Sequence, residues 1–222
     1  MLKYKLSSFF FVFLIIQSSA QLRDRVSLSG EWQFFKGDTE SPAKVEQVSV
    51  PHTWNAQDGT TANYYRGKGT YRYNFDSPKN IQKKRVFLRF EAVSQEADVF
   101  LNGQYLGNHK GAFNAFCFEI TPYLKKKNNE LVVKASNVLN PDIAPLSGDF
   151  TVFGGIYRPV SLLILPRTCI TPLDYASSGI YIKQTKIQDH KATIDITTKI
   201  DGDIYGNKKL RLRTSVFDPT GK

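Results

Sequence analysis

From residue 28 onward the chain is written in period two. Tyr71, Tyr73 and Phe75 alternate with Arg72 and Asn74, and Val86, Leu88 and Phe90 alternate with Arg85 and Arg89. Leu131, Val133 and Ala135 repeat the pattern around Lys134. Successive side chains of a strand point to opposite faces, so this spacing predicts half-buried β-strands. Phe87 breaks the polar side of its segment. Val99 and Leu101 lead into Asn102-Gly103, a pair that accepts positive φ at both central positions of a type I′ turn, and Gln104 to Leu106 form the return strand. Phe116, Phe118 and Ile120 give another strand, stopped by Thr121-Pro122, and Val160, Leu162 and Ile164 close the series. No window of a dozen residues carries a helical stripe. Many short strands separated by turn signals predict an all-β sandwich or jelly roll.

The first twenty residues obey a different logic. Lys3 and Lys5 precede an unbroken apolar run from Phe9 to Ile16, and Ser18 and Ala20 take the small-residue positions before Gln21. This layout predicts a cleavable signal peptide over residues 1–20 and a periplasmic or secreted protein; the charged and small flanks argue against a buried N-terminal helix. The apolar run is too short for a membrane anchor, and no cysteine follows the cleavage point to take a lipid. With 41% hydrophobic residues the chain can build a core, which sets it apart from disordered sequences. The net charge of +10 gathers partly in Lys83-Lys84-Arg85 and Lys125-Lys126-Lys127, between strand-like stretches where charge runs form solvated turns. A nucleic-acid groove would need a basic face interleaved with stacking aromatics, so no nucleic-acid partner is expected; attraction to acidic glycans is the weaker alternative. Three histidines (52, 109 and 190) are too scattered for a helical metal pair, and two cysteines are too few for a cysteine-built zinc site. Whether Cys117 and Cys169 pair stays open, with two separate thiols acting as small apolar residues favoured. Cys117, between Phe116 and Phe118, faces away from both.

Pro166, Pro172 and Ser177-Ser178-Gly179 mark a linker region, after which Gly179–Gln184, Ala192–Ile200 and Leu210–Phe217 read as three more strands. An immunoglobulin-like sandwich needs about seven strands and ~100 residues. Three would leave an apolar face and an open edge, so the expectation is a truncated second sandwich and a chain that is a fragment of something longer.

Several stretches now stand in a recognisable order: Leu28-Ser-Gly-Glu-Trp-Gln-Phe34, Val50-Pro-His-Thr-Trp54, Tyr64-Tyr-Arg-Gly-Lys-Gly-Thr-Tyr-Arg72, Ala97 through His109, Phe116-Cys-Phe-Glu-Ile-Thr121, and Asp149-Phe-Thr-Val-Phe-Gly-Gly-Ile-Tyr-Arg158. Together they resemble the N-terminal sugar-binding domain of glycoside hydrolase family 2, which includes β-galactosidases, β-glucuronidases and β-mannosidases. The resemblance implies a galactose-binding-like jelly roll over residues 21–167 and the start of an immunoglobulin-like domain over 168–222. It also implies a retaining glycosidase whose two catalytic glutamates belong to a third domain, a barrel with no counterpart here. Such chemistry needs two carboxyls about 5–5.5 Å apart, so this chain alone is expected to be inactive, its principal partners being a carbohydrate and its own catalytic domain.

The same resemblance assigns candidate sugar contacts. Asp149 matches a family aspartate that looks into the barrel pocket and contacts the terminal sugar; in some β-galactosidases it also helps hold a sodium ion, so a sodium or divalent ion belongs to the full-length expectation and no other cofactor does. A carboxylate suits the task, accepting charge-assisted bonds from hydroxyls, against the plain reading of a loop aspartate capping its own backbone. Asn63 matches a family asparagine on a loop reaching the same pocket, and an amide both donates and accepts. The two together favour β-galactosidase specificity; the alternative function is a stand-alone carbohydrate-binding module. Trp32 and Trp54 read as core rather than sugar platforms, while Tyr64 and Tyr65 stay open. Arg158 reads as pairing with a carboxylate or carbonyl, and Gly67-Lys-Gly69 lacks the rest of a nucleotide loop.

Overall fold

The computed structural model describes residues 23–39, 42–60, 63–144, 150–188, 191–202, 209–217 and 220; the predicted signal peptide lies outside them. Ten strands make a sandwich: β1 (Asp24–Ser27), β2 (Gly30–Lys36), β3 (Glu46–Val50), β4 (Lys68–Phe75), β5 (Lys84–Phe90), β6 (Glu96–Leu101), β7 (Gln104–Lys110), β8 (Phe116–Glu119), β9 (Asn129–Ser136) and β10 (Val160–Pro166). One antiparallel sheet runs β1-β10-β5-β8 and the other β3-β2-β4-β9-β6-β7, so the jelly-roll expectation holds. Asn102 and Gly103 sit at φ 53° and 83° in the β6–β7 hairpin, as the type I′ turn requires. Pro122 ends β8 in a short 3₁₀ turn, Thr121–Tyr123.

The alternation works out as written. Val86, Leu88 and Phe90 point between the sheets and are fully buried together with Tyr71, Val99, Leu101, Leu131 and Val133. Trp32 is also core: it stacks on Tyr73 at 4.8 Å and its indole N–H donates to Leu28 O at 2.9 Å. Arg85 and Arg89 project from the opposite face of β5, and Phe87 with them. Phe87 is nonetheless 0% exposed, because a second cluster of Phe87, Leu163, Leu165 and Cys169, with Cys117 packed against it, lies on that outer face. Cys117 thus turns away from its two phenylalanine neighbours. Both cysteines are free thiols, and burial pushes the Cys117 thiol up to about 12 and raises that of Cys169.

In this cluster Cys169 comes from the start of the immunoglobulin-like unit. That unit holds a two-stranded ladder, β11 (Cys169–Ile170) with β14 (Ile200–Asp201), and a hairpin, β12 (Ile180–Gln188) with β13 (Lys191–Thr198). Ile182, Ile187 and Ile194 on the hairpin remain exposed, as befits one layer of a sandwich. The third predicted strand is corrected here: residues 209–217 are exposed and enter no ladder among the described residues. Alternating Leu210, Leu212 and Val216 offer an apolar face, but a strand exists only where its backbone groups find a partner strand.

Charged groups peg the seam. Arg85 donates to both oxygens of Glu119 (3.0 and 2.6 Å) and to Asp201 at 2.8 Å, joining β5 and β8 to β14. The Arg85 guanidinium holds the Glu119 carboxyl below its ordinary 4.5, and Arg89 does the same to Glu91. A carboxyl whose folded value is depressed stabilises the fold above its unfolded value and loses that contribution as pH falls through the folded one. The thermal midpoint is therefore expected to drop as pH is taken below about 4.5, and Glu119→Gln to flatten part of that drop. Identical midpoint-against-pH curves for the parent chain and Glu119→Gln would show that the pair is not responsible.

Candidate functional site

Four connections meet at one end of the sandwich through their described residues: 51–60 and 63–67 after β3, 91–95 after β5, 111–115 after β7, and 137–144 and 150–159 after β9. Main-chain bonds stitch them together. His52 N–H donates to Ile156 O at 2.7 Å, Trp54 N–H to Gly154 O at 3.3 Å, and Gly111 N–H to Gln95 O at 2.8 Å. Ser94 and Gly155 exchange bonds of 3.0 and 3.2 Å.

Beneath these loops lies a buried polar knot that sequence reasoning missed. Asn55 and Asn137 are both 0% exposed. Asn55 Nδ2 donates to Asp58 Oδ1 and Tyr65 O, both at 2.9 Å, while its Oδ1 accepts from Gly154 N–H at 2.9 Å and from Asn137 Nδ2 at 3.2 Å. Asn137 Nδ2 also donates to Val152 O at 2.8 Å, and its Oδ1 accepts from Gly67 N–H at 2.8 Å. The Tyr65 N–H, donated to Asp58 Oδ2 at 2.9 Å, and then the Asn55 amide hold the Asp58 carboxyl below the usual range. Asparagine does this because one planar amide carries two donors and an acceptor with two lone pairs. Nothing in the local pattern marks these residues; the only trace is an asparagine directly after Trp54 and another directly after the last residue of β9.

Above the knot the loops enclose a cavity of about 330 Å³, lined by Thr53, Ser94, Val152 and three phenylalanines, Phe113, Phe150 and Phe153. The three rings are 59%, 54% and 44% exposed and make an apolar rim. The predicted contact Asn63 is exposed on the 51–67 connection, next to Tyr64, whose hydroxyl accepts from Val152 N–H at 3.0 Å. Thr151 Oγ1 donates to Gly59 O, a second tie between the same two loops. Asp149 lies outside the described residues; its neighbour Phe150 stands on the rim.

The remaining predicted residues take structural places. Trp54 is 7% exposed and stacks on Phe34. Tyr65 O–H donates to Lys68 O at 2.9 Å, and Arg158 Nη1 donates to a carbonyl, Phe113 O, at 3.4 Å. His109 is half-buried and lies flat on Phe116 at 4.1 Å, with burial lowering its basicity. Gly69 of the Gly67-Lys-Gly69 run serves packing: a Cβ there would come within 2.6 Å of the Trp54 ring and 2.7 Å of Phe34. Among the described residues no three His, Cys, Asp or Glu side chains gather to hold a metal ion.

Residues 16–166 match the family model for the glycosyl hydrolases family 2 sugar binding domain. The chain is 42% identical over 197 residues to a β-glucuronidase of Bacteroides fragilis, covering 85% of this chain and 28% of that protein. It is 33% identical to a β-galactosidase of Thermoanaerobacter pseudethanolicus, covering 85% of this chain and 26% of that one. Among solved structures, the β-glucuronidase of Bacteroides uniformis superposes with a TM-score of 0.76 at 34% identity, over 82% of this chain and 22% of that one. The chain thus spans about a quarter of the length of the relatives it matches. With the two-sheet sandwich, the converging loops and a match over most of its length, this chain belongs to glycosyl hydrolases family 2 by its sugar binding domain.

Proposed function

We propose that this chain is the sugar-facing front portion of an exported, retaining β-glycosidase, in which Asn63 and Asp149 reach the terminal sugar. The observation that supports this is the tie from Tyr64, beside Asn63, to Val152, whose Phe150–Phe153 segment lines the apolar-rimmed cavity. Tyr64 and the asparagine knot beneath hold the two loops as one platform. Asn63 would then donate to and accept from sugar hydroxyls, and the Asp149 carboxylate would accept from adjacent ones. The two catalytic carboxyls belong to the remainder of the enzyme, so the 222-residue chain alone hydrolyses nothing.

The Asn63 and Asp149 pair favours β-galactosides, whereas the 42% identical relative is named a β-glucuronidase. We take β-glucuronides as the first substrates to try and β-galactosides as the second. The enzyme extended through its downstream coding sequence is expected to hydrolyse one of the two p-nitrophenyl glycosides with retention. Asp149→Ala is expected to lower its kcat/KM by about tenfold or more, the worth of a charge-assisted bond, at an unchanged thermal midpoint. An unchanged kcat/KM would remove Asp149 from the pocket. Hydrolysis of neither glycoside by a folded full-length protein that still binds them would leave a binding module in place of an enzyme.

A further inference from the structure

The seam between the jelly roll and the second unit carries more positive charge than its ion pairs use. Arg23, Arg25 and Arg89 line one side of a cavity of about 410 Å³, and Ser177 and Ser178 line the other. Glu91 accepts from Arg89 Nε at 2.9 Å and Nη2 at 3.0 Å, and from Arg25 Nη2 at 2.7 Å. Arg23 Nη2 donates to Ser178 O at 2.6 Å and Ile170 O at 3.4 Å, and Arg89 Nη1 donates to Ala176 O. Carbonyls satisfy hydrogen-bonding capacity without cancelling charge, so Arg25 and Arg89 share the one carboxylate of Glu91 while Arg23 donates to carbonyls. The Arg25 side chain is 50% exposed.

The neighbouring groove, of about 1020 Å³, shares Ala176 as a wall and is lined by Tyr175, Phe113, Asn114 and Asp174. Tyr175 is 91% exposed, and both it and Ala176 sit in the left-handed region, at φ 53° and 51°. A bulky L-residue is disfavoured there, and a ring standing in water recovers nothing by burial. An exposed aromatic face beside amide and carboxylate groups suits stacking on the apolar face of a sugar. A guanidinium that donates to carbonyls, as Arg23 does, and one that shares its carboxylate with a second arginine, as Arg25 does, suit a carboxylate or a sulfate.

We propose that this seam is a carbohydrate site for an acidic glycan, with one sugar ring on Tyr175 and the oxyanion of a neighbouring sugar on Arg25 and Arg23. The ligand is a chain of at least two sugars bearing carboxylates or sulfate esters, and its binding bridges the two units. Its contacts, Tyr175, Arg25 and Arg23, are not those of the loop-end reading, although Phe113 lines both spaces.

Calorimetric titration of the full chain with three oligosaccharides of equal length tests this: one carboxylated, one sulfated, one neutral. An acidic chain is expected to bind about tenfold or more tightly than the neutral one, and to weaken as salt is added. Arg25→Gln lowers that affinity by about tenfold. Tyr175→Gly lowers it by about fivefold while holding or raising the thermal midpoint, since glycine accepts positive φ without strain. The carboxylated and sulfated arms identify which oxyanion the arginines take. Equal affinity for the neutral and acidic chains overturns the proposal, and so do variants that both stay within about twofold of the parent.

Discussion

Replacing Asn137 by alanine is expected to lower the free energy of unfolding by about 3 kcal/mol, because it strands buried backbone groups on two loops at once. Gly67 N–H and Val152 O would lose partners at 2.8 Å, and Asn55 Oδ1 would lose one of its two donors. Each buried group left unpaired costs about 1–3 kcal/mol, against a total stability of about 5–15 kcal/mol for a domain of ordinary size. Asn137→Asp recovers less than half of the loss. It keeps an acceptor for Gly67 but turns a second carboxylate oxygen toward Val152 O where an N–H had been. Urea unfolding of both variants measures this. A loss below about 1 kcal/mol for Asn137→Ala would mean that the loops relax to satisfy themselves and the knot holds nothing. The effect reaches function through Val152, since its N–H is what ties the loop to Tyr64 beside Asn63.

Trp54→Ala should cost about 3–5 kcal/mol, the usual range for emptying a buried tryptophan site. Its ring stacks on Phe34 at 5.9 Å and on Tyr71 at 6.5 Å, and meets Tyr65 edge-on at 6.3 Å. Glycines make the space: a Cβ on Gly69 or on Gly154 would run into this indole, and on Gly154 would also come within 2.8 Å of the Asn137 side chain. Trp54→Phe fills most of the volume and should cost less than half as much. The two readings of this tryptophan make opposite predictions. As core, its loss moves the thermal midpoint first and sugar affinity only through the loosened loops. As a sugar platform, its loss would spare the midpoint and abolish binding.

Much of the sandwich was legible along the chain, because its causes are local. Period-two spacing decides which face each of Val86, Leu88 and Phe90 occupies, and Asn102-Gly103 supplies the positive φ that a tight hairpin demands. Leu210–Phe217 shows the limit of that reading: the alternation is present, but it cannot tell whether a partner strand is alongside. The ordered motifs carried the family.

The sequence by itself thus determined most of the sandwich strands, the turn and the family, since neighbouring residues are enough to set a pleat and a hairpin. The tertiary structure alone decided what the exceptions mean. Phe87 breaks a polar face, yet it is buried there with Leu163, Leu165 and, from the second unit, Cys169. Asn55 and Asn137 are 82 residues apart in sequence, and Arg85 and Asp201 are 116 apart. A buried amide or guanidinium is stable only where its donors and acceptors are met, and which distant loops meet them is set by the order of strands in the sheets. No window of neighbouring residues contains that order.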